Sequence, residues 1–191
     1  MKVAGPDITG TAQAAIVAAI KNTDDATKAT LKLVTELLSS SVIDASIGGA
    51  SVTAAIGNIV SGAIRGTLEV GANVGHAAKG IIIGVLHGTQ DTGTPVLDTI
   101  RHTAYVVIRD TASLGGDVGG AALGLVAGVI EATKKLGISA EGAAHVAVDG
   151  ALKAASHVSS ITVETVRRAV TRPLNAMKTT IHQEENNYSR K

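Results

Sequence analysis

The chain has 191 residues, 17 basic and 16 acidic, and a net charge of +1, so it carries no overall charge that would draw it to nucleic acid or to an acidic partner. It holds no Cys, Trp or Phe and only 1% aromatics against 45% hydrophobic residues, which excludes disulfides and thiolate metal sites and leaves a core of Ala, Val, Ile, Leu and Gly. Side chains this small bury little area each, so stability must come from many close contacts between backbones.

Residues 1–10, MKVAGPDITG, lack the basic and apolar regions of a signal peptide, and a cytoplasmic location is the expectation. The first helices are expected over 7–22 and 25–47. QAAIVAAIKNT at 13–23 aligns with LGLVAGVIEAT at 123–133, which ties these elements to the repeat that follows.

That repeat is read from its punctuation. Gly49, Gly71, Gly93, Gly115 and Gly137 stand 22 residues apart, each followed two residues later by Ser51, Asn73, Pro95, Asp117 or Ser139. A glycine in the left-handed conformation ends one helix and a capping residue starts the next. At the third junction Thr94 is expected to cap a helix opening on Pro95. The predicted helices are 51–70, 73–92, 95–114, 117–136 and 139–158, each about 30 Å long. A last helix is expected over 161–171, capped by Ser159 or Ser160. Pro173 should interrupt it, leaving residues 173–191 as a frayed polar tail after a single domain of 1–172.

The fold class expected is all-α: an up-and-down array of about eight short antiparallel helices on a 22-residue unit. Each unit contains two elevens. Counting from Gln13, the third, seventh and eighth columns are mainly apolar and the first, second and ninth mainly polar. Thr23, Thr67, Thr89, Thr111 and Thr133 share one column, too dispersed over alternating helix ends to make a flat ice-binding face.

Glycines also recur four apart inside the helices: Gly62 with Gly66, Gly71 with Gly75, Gly80 with Gly84 and Gly88, and Gly116 through Gly120 and Gly124 to Gly128. A helical glycine costs about 1 kcal/mol relative to alanine. Close approach of a neighbouring helix, with dispersion and Cα–H···O contacts, is the expected compensation. The same spacing serves helix association in membranes. However, charges such as Arg65, Lys79, Asp98, Arg109 and Asp149 interrupt every apolar run before it reaches the roughly 20 residues of a membrane span.

No chemistry is signalled. The histidines, His76, His87, His102, His145, His157 and His182, include no pair spaced to put two ligands on one helical face, and no metal or cofactor is expected. No serine has a nucleophile-elbow context, and the glycine-bearing GVLHGTQ and GISAEG follow no predicted strand. Asp117 and Glu141 fall in first helical turns, where the macrodipole accounts for them. The basic residues Arg167, Arg168, Arg172 and Lys178 are candidates for contact with an anionic surface.

The expected function is therefore a non-enzymatic structural protein that self-associates through apolar and Gly/Ala-rich helix faces into an oligomer, filament or shell. The 11-residue period, Ala-rich composition and absence of Cys and Trp across residues 13–177 also resemble amphipathic coat proteins, including the phasins of polyester storage granules. That resemblance implies the alternative, a peripheral protein whose apolar stripe lies on a lipid or granule surface.

Overall fold

The structure, a computed structural model, describes residues 7–23, 25–48 and 51–188, with side chains described over 7–41 and 51–175 apart from residue 24. These residues form eight helices and no strand: α1 (Ile8–Lys21), α2 (Ala26–Gly48), α3 (Val52–Glu69), α4 (Val74–Gly88), α5 (Val96–Ser113), α6 (Val118–Leu136), α7 (Ala140–Ser156) and α8 (Ser160–Tyr188). The all-helical array read from the repeat is present.

The start signals act as their chemistry requires. Side-chain oxygens of Ser51, Asn73, Asp117 and Ser139 accept from the backbone N–H three residues on, at 2.9–3.2 Å. Asp7 caps α1 in the same way and Ser159 accepts from Thr162. The stop signals hold at three junctions. Gly71, Gly115 and Gly137 have φ of 66°, 72° and 67°. After α3, Ala72 N–H returns to the Thr67 carbonyl at 3.0 Å and Gly71 N–H to Leu68 at 3.1 Å. After α5, Gly116 and Gly115 make the same pair of bonds to Thr111 and Ala112, so both helices end in Schellman motifs.

Four expectations are corrected. Helix α4 stops at Gly88, four residues before the predicted end, and Gly93, although left-handed, lies in a loop rather than at a helix terminus. Thr94 does not cap α5: Pro95 occupies the N-cap position without a side-chain bond, and Thr94 instead bonds Thr92 at 2.8 Å. Pro173 does not end α8, which continues through it to Tyr188; Leu174, the next residue, packs against the core. Gly116 lies in the α5–α6 turn rather than on a helix face, between Leu68 and Thr111. Gly49 falls outside the described residues.

Short turns reverse consecutive helices, but the tightest neighbours are two apart in sequence. α3 docks on α1, α4 on α2, α6 on α4 and α7 on α5. Gly62 and Gly66 meet Thr9 and Gln13, while Gly80 and Gly84 meet Thr27 and Leu31, so rising numbers pair with rising numbers and lateral neighbours run parallel. The odd helices thus form one layer and the even helices another. Their apolar stripes face each other across a single core that includes Ile16, Ile56, Ile81, Ile108 and Leu125. Two layers, rather than one antiparallel row, are the cheaper way to cover a stripe on every helix.

Candidate functional site

Two constructions stand out: the glycine contacts that join helices within each layer, and a polar strip on the outside of α5.

Most of the glycine contacts are backbone against backbone. A Cβ on Gly62 would overlap the Thr9 carbonyl, one on Gly80 the Thr27 carbonyl and one on Gly124 the Gly75 carbonyl. On Gly66 and Gly84 it would come within 2.7 and 2.8 Å of the Gln13 and Leu31 carbonyls, and on Gly88 within 2.8 Å of Leu38 Cβ. Gly128 is pressed against Lys79 and Ile82. Gly120 has two roles: its N–H donates to the Asp117 cap, and its carbonyl faces Gly75. Gly150, which has no glycine four residues away to mark it in the sequence, fits its backbone against Arg101. A different signal was present, since it lies four 22-residue units beyond Gly62.

The same column explains where the pattern fails. Two repeats after Gly62 and Gly66, α5 carries Val106 and Asp110; two repeats after Gly124 and Gly128, α8 carries Arg168 and Arg172. Neither helix can make the close approach. Between α3 and α5 a polar clasp takes its place: Ser61 Oγ donates to Asp110 Oδ2 at 2.5 Å, and Arg109 Nε donates to Asp110 Oδ1 at 2.6 Å. This ion pair raises the Arg109 pKa above its ordinary value. Arg167, Arg168 and Arg172 are exposed, Arg168 lying 4.0 Å from Glu164, while the Lys178 side chain is outside the described residues.

The strip on α5 comprises Asp98, His102, Tyr105 and Arg109, spaced three to four apart along one face. Buried polar atoms without a hydrogen-bond partner concentrate on this helix: Thr99 Oγ1, His102 Nε2, Thr103 Oγ1 and Thr111 Oγ1. Burial is the main cause that lowers the His102 pKa, opposed in part by the Thr53 backbone and reinforced by the Arg109 charge. From α7, His157 stands edge-on to Tyr105 with ring centroids 6.1 Å apart, and its Nδ1 lies 2.7 Å from the Lys153 carbonyl. Arg109 also approaches the Tyr105 ring, 6.0 Å from its centroid. In the sequence these histidines are scattered along separate helices, because the juxtaposition of α5 and α7 is a tertiary fact.

Among the described residues no cluster of three or more His, Asp or Glu could hold a metal ion, and no helix is long and apolar enough to cross a membrane. The Thr column has a use that its spacing did not reveal. Thr67, Thr89, Thr111 and Thr133 are buried at helix ends; the hydroxyls of Thr67 and Thr89 bond the carbonyl four residues back at 2.8 and 2.7 Å. The carbonyls of Thr67, Thr111 and Thr133 receive the terminating N–H bonds. Compared with known proteins, the chain matches no protein-family model and no curated sequence.

Proposed function

We propose that the protein is a non-enzymatic structural component that works as an assembly, with copies joined edge to edge through the open sides of the two-layered array. The observation that carries this reading is the state of the outermost helices. Each interior helix has two neighbours in its layer, whereas α1 and α2 at one edge and α7 and α8 at the other have one. On α1, Ala14 and Ala18 are exposed, and Ala18 occupies the position that Gly62 fills two repeats later. A small-residue face of that kind suits close docking on the backbone of a parallel helix. The opposite edge carries no equivalent surface, since α8 exposes Arg167, Arg168 and Arg172, so the two edges differ and a contact between them is heterologous and repeating.

The interior glycine faces and the apolar stripes are occupied within the chain, so association falls to the edges rather than to those faces. A granule or membrane coat would need the stripe free, and the two-layered core would have to open to release it. Self-association is therefore the reading preferred over the phasin-like one.

Light scattering after size exclusion tests it. Species well above 19.1 kDa that grow with concentration in plain buffer, and that Ala18→Arg reduces to monomer, are the expected result. A monomer at every concentration would overturn the reading, and transfer of a small species onto added anionic liposomes would replace it with the coat.

A further inference from the structure

α7 meets α5 closely at one glycine. Gly150 rests on the Arg101 backbone, and the next position of its column is Ala154 rather than a second glycine. A depression opens on each side. Towards the N-termini of both helices a cavity of about 640 Å³ is lined by Val96, Leu97, Ile138 and Val146, and towards their C-termini one of about 440 Å³ reaches Tyr105, Lys153 and His157. Asp98 and Arg101 line both, which makes the two depressions lobes of one trough.

The lobes differ in chemistry. The larger is mainly aliphatic, and Leu97 at its rim remains 46% exposed, an apolar side chain that the fold leaves uncovered. The smaller is lined by His102, Tyr105, Lys153 and His157, and Lys153 has no salt bridge among the described residues. At the waist, Arg101 Nη1 lies 3.2 Å from Asp98 Oδ1 and its Nε lies 3.3 Å from Asp149 Oδ2. The Asp98 pair spans one turn of the same helix and its carboxylate is 66% exposed, so water competes for it and another carboxylate can take its place. An aliphatic lobe opening on a replaceable guanidinium contact, with an ammonium group beyond, matches a ligand that is apolar at one end and anionic at the other.

We propose that this trough binds a single-chain amphiphile carrying a carboxylate, its alkyl chain in the lobe formed by Val96, Leu97, Ile138 and Val146 and its head on Arg101. The trough lies on the side of α7 that meets α5 rather than on its open side, so either reading can fail without the other.

The probe is sodium decanoate, kept below its micelle concentration and titrated by calorimetry, with backbone amide shifts marking the site. One saturable site whose shifts centre on α5 and α7 is expected. Arg101→Gln should weaken it about tenfold through loss of a charged hydrogen bond, and Val146→Asn should weaken it by placing a polar group in the lobe. Asp98→Asn should tighten it, because Arg101 is released from its competitor. That gain cannot arise from a misfolded variant. Unsaturable binding, shifts spread over the whole surface, or an affinity indifferent to both Arg101→Gln and Asp98→Asn would overturn the proposal.

Discussion

Glycines of this chain divide by what their missing side chain would touch. At Gly124 a Cβ would meet the Gly75 backbone, which cannot rotate away, whereas at Gly57 it would lie 3.6 Å from His102 Nε2, an ordinary separation. Gly124→Ala should therefore destabilise despite the better helix propensity of alanine, and Gly124→Leu should cost several kcal/mol more through forced separation of α4 and α6, by the logic of overpacking. Gly57→Ala should stabilise by up to about 1 kcal/mol, because only the propensity gain remains. Urea denaturation of the three variants decides between the steric account and a pure propensity account, which predicts stabilisation at both alanine sites. His102 supplies the second prediction at this scale. Its folded pKa lies below the ordinary 6.5 because burial disfavours the charged form. The unfolded chain then binds a proton before the folded one as pH falls. The stability present above about pH 6.5 should decline as pH drops below that value towards the folded pKa, and His102→Gln should flatten this part of the profile. An unchanged slope in the variant would assign the pH dependence to other groups.

At the scale of elements, the repeat sets where α3, α5 and α6 stop through a threonine, a left-handed glycine and a capping residue, as in Thr67, Gly71 and Asn73. Replacing Gly71 with alanine should cost about 1 kcal/mol for the left-handed backbone. Thr67→Val should cost a similar amount, about 1 kcal/mol, by removing the buried hydroxyl bond to Ala63. Because both act on the same helix end, the double variant should depart from additivity, which a double-mutant cycle measures. These ends are legible in the amino-acid order, since glycine and capping residues act locally. Two ends depart from the repeat. Helix α4 ends early at Gly88, and α8 continues past Pro173, where Leu174 packed on the core holds the chain in register. The clasp between α3 and α5 is not legible in the same way. Ser61, Arg109 and Asp110 carry no signal until α5, bearing Val106 and Asp110 where its counterparts bear glycine, is placed beside α3.

For the whole molecule, the clasp marks a joint in the odd layer where glycine contact is absent, while α2, α4 and α6 remain joined by glycines in the even layer. Asp110→Ala would leave Ser61 and the half-exposed Arg109 without their carboxylate, at a cost of about 1–3 kcal/mol. Hydrogen exchange should show the loss as faster opening of α3 and α5, with α4 and α6 less affected. Uniform acceleration across all eight helices would mean that the array has no separate joint and opens as one unit.

Hydrophobic periodicity, glycine backbone freedom and capping are properties of residues near one another in the chain. The helical class, the number of helices, the caps at Ser51, Asn73, Asp117 and Ser139 and the existence of faces for close helix contact follow from them, and are readable in the amino-acid order. Three further outcomes are not: the close contacts join helices two apart and parallel, the apolar stripes close on each other in two layers, and His102, Tyr105, Lys153 and His157 converge on one trough. Each depends on which stripe faces which across the core. Chemically similar repeats leave that choice open, because it rests on packing between residues far apart in the chain rather than on neighbours along it.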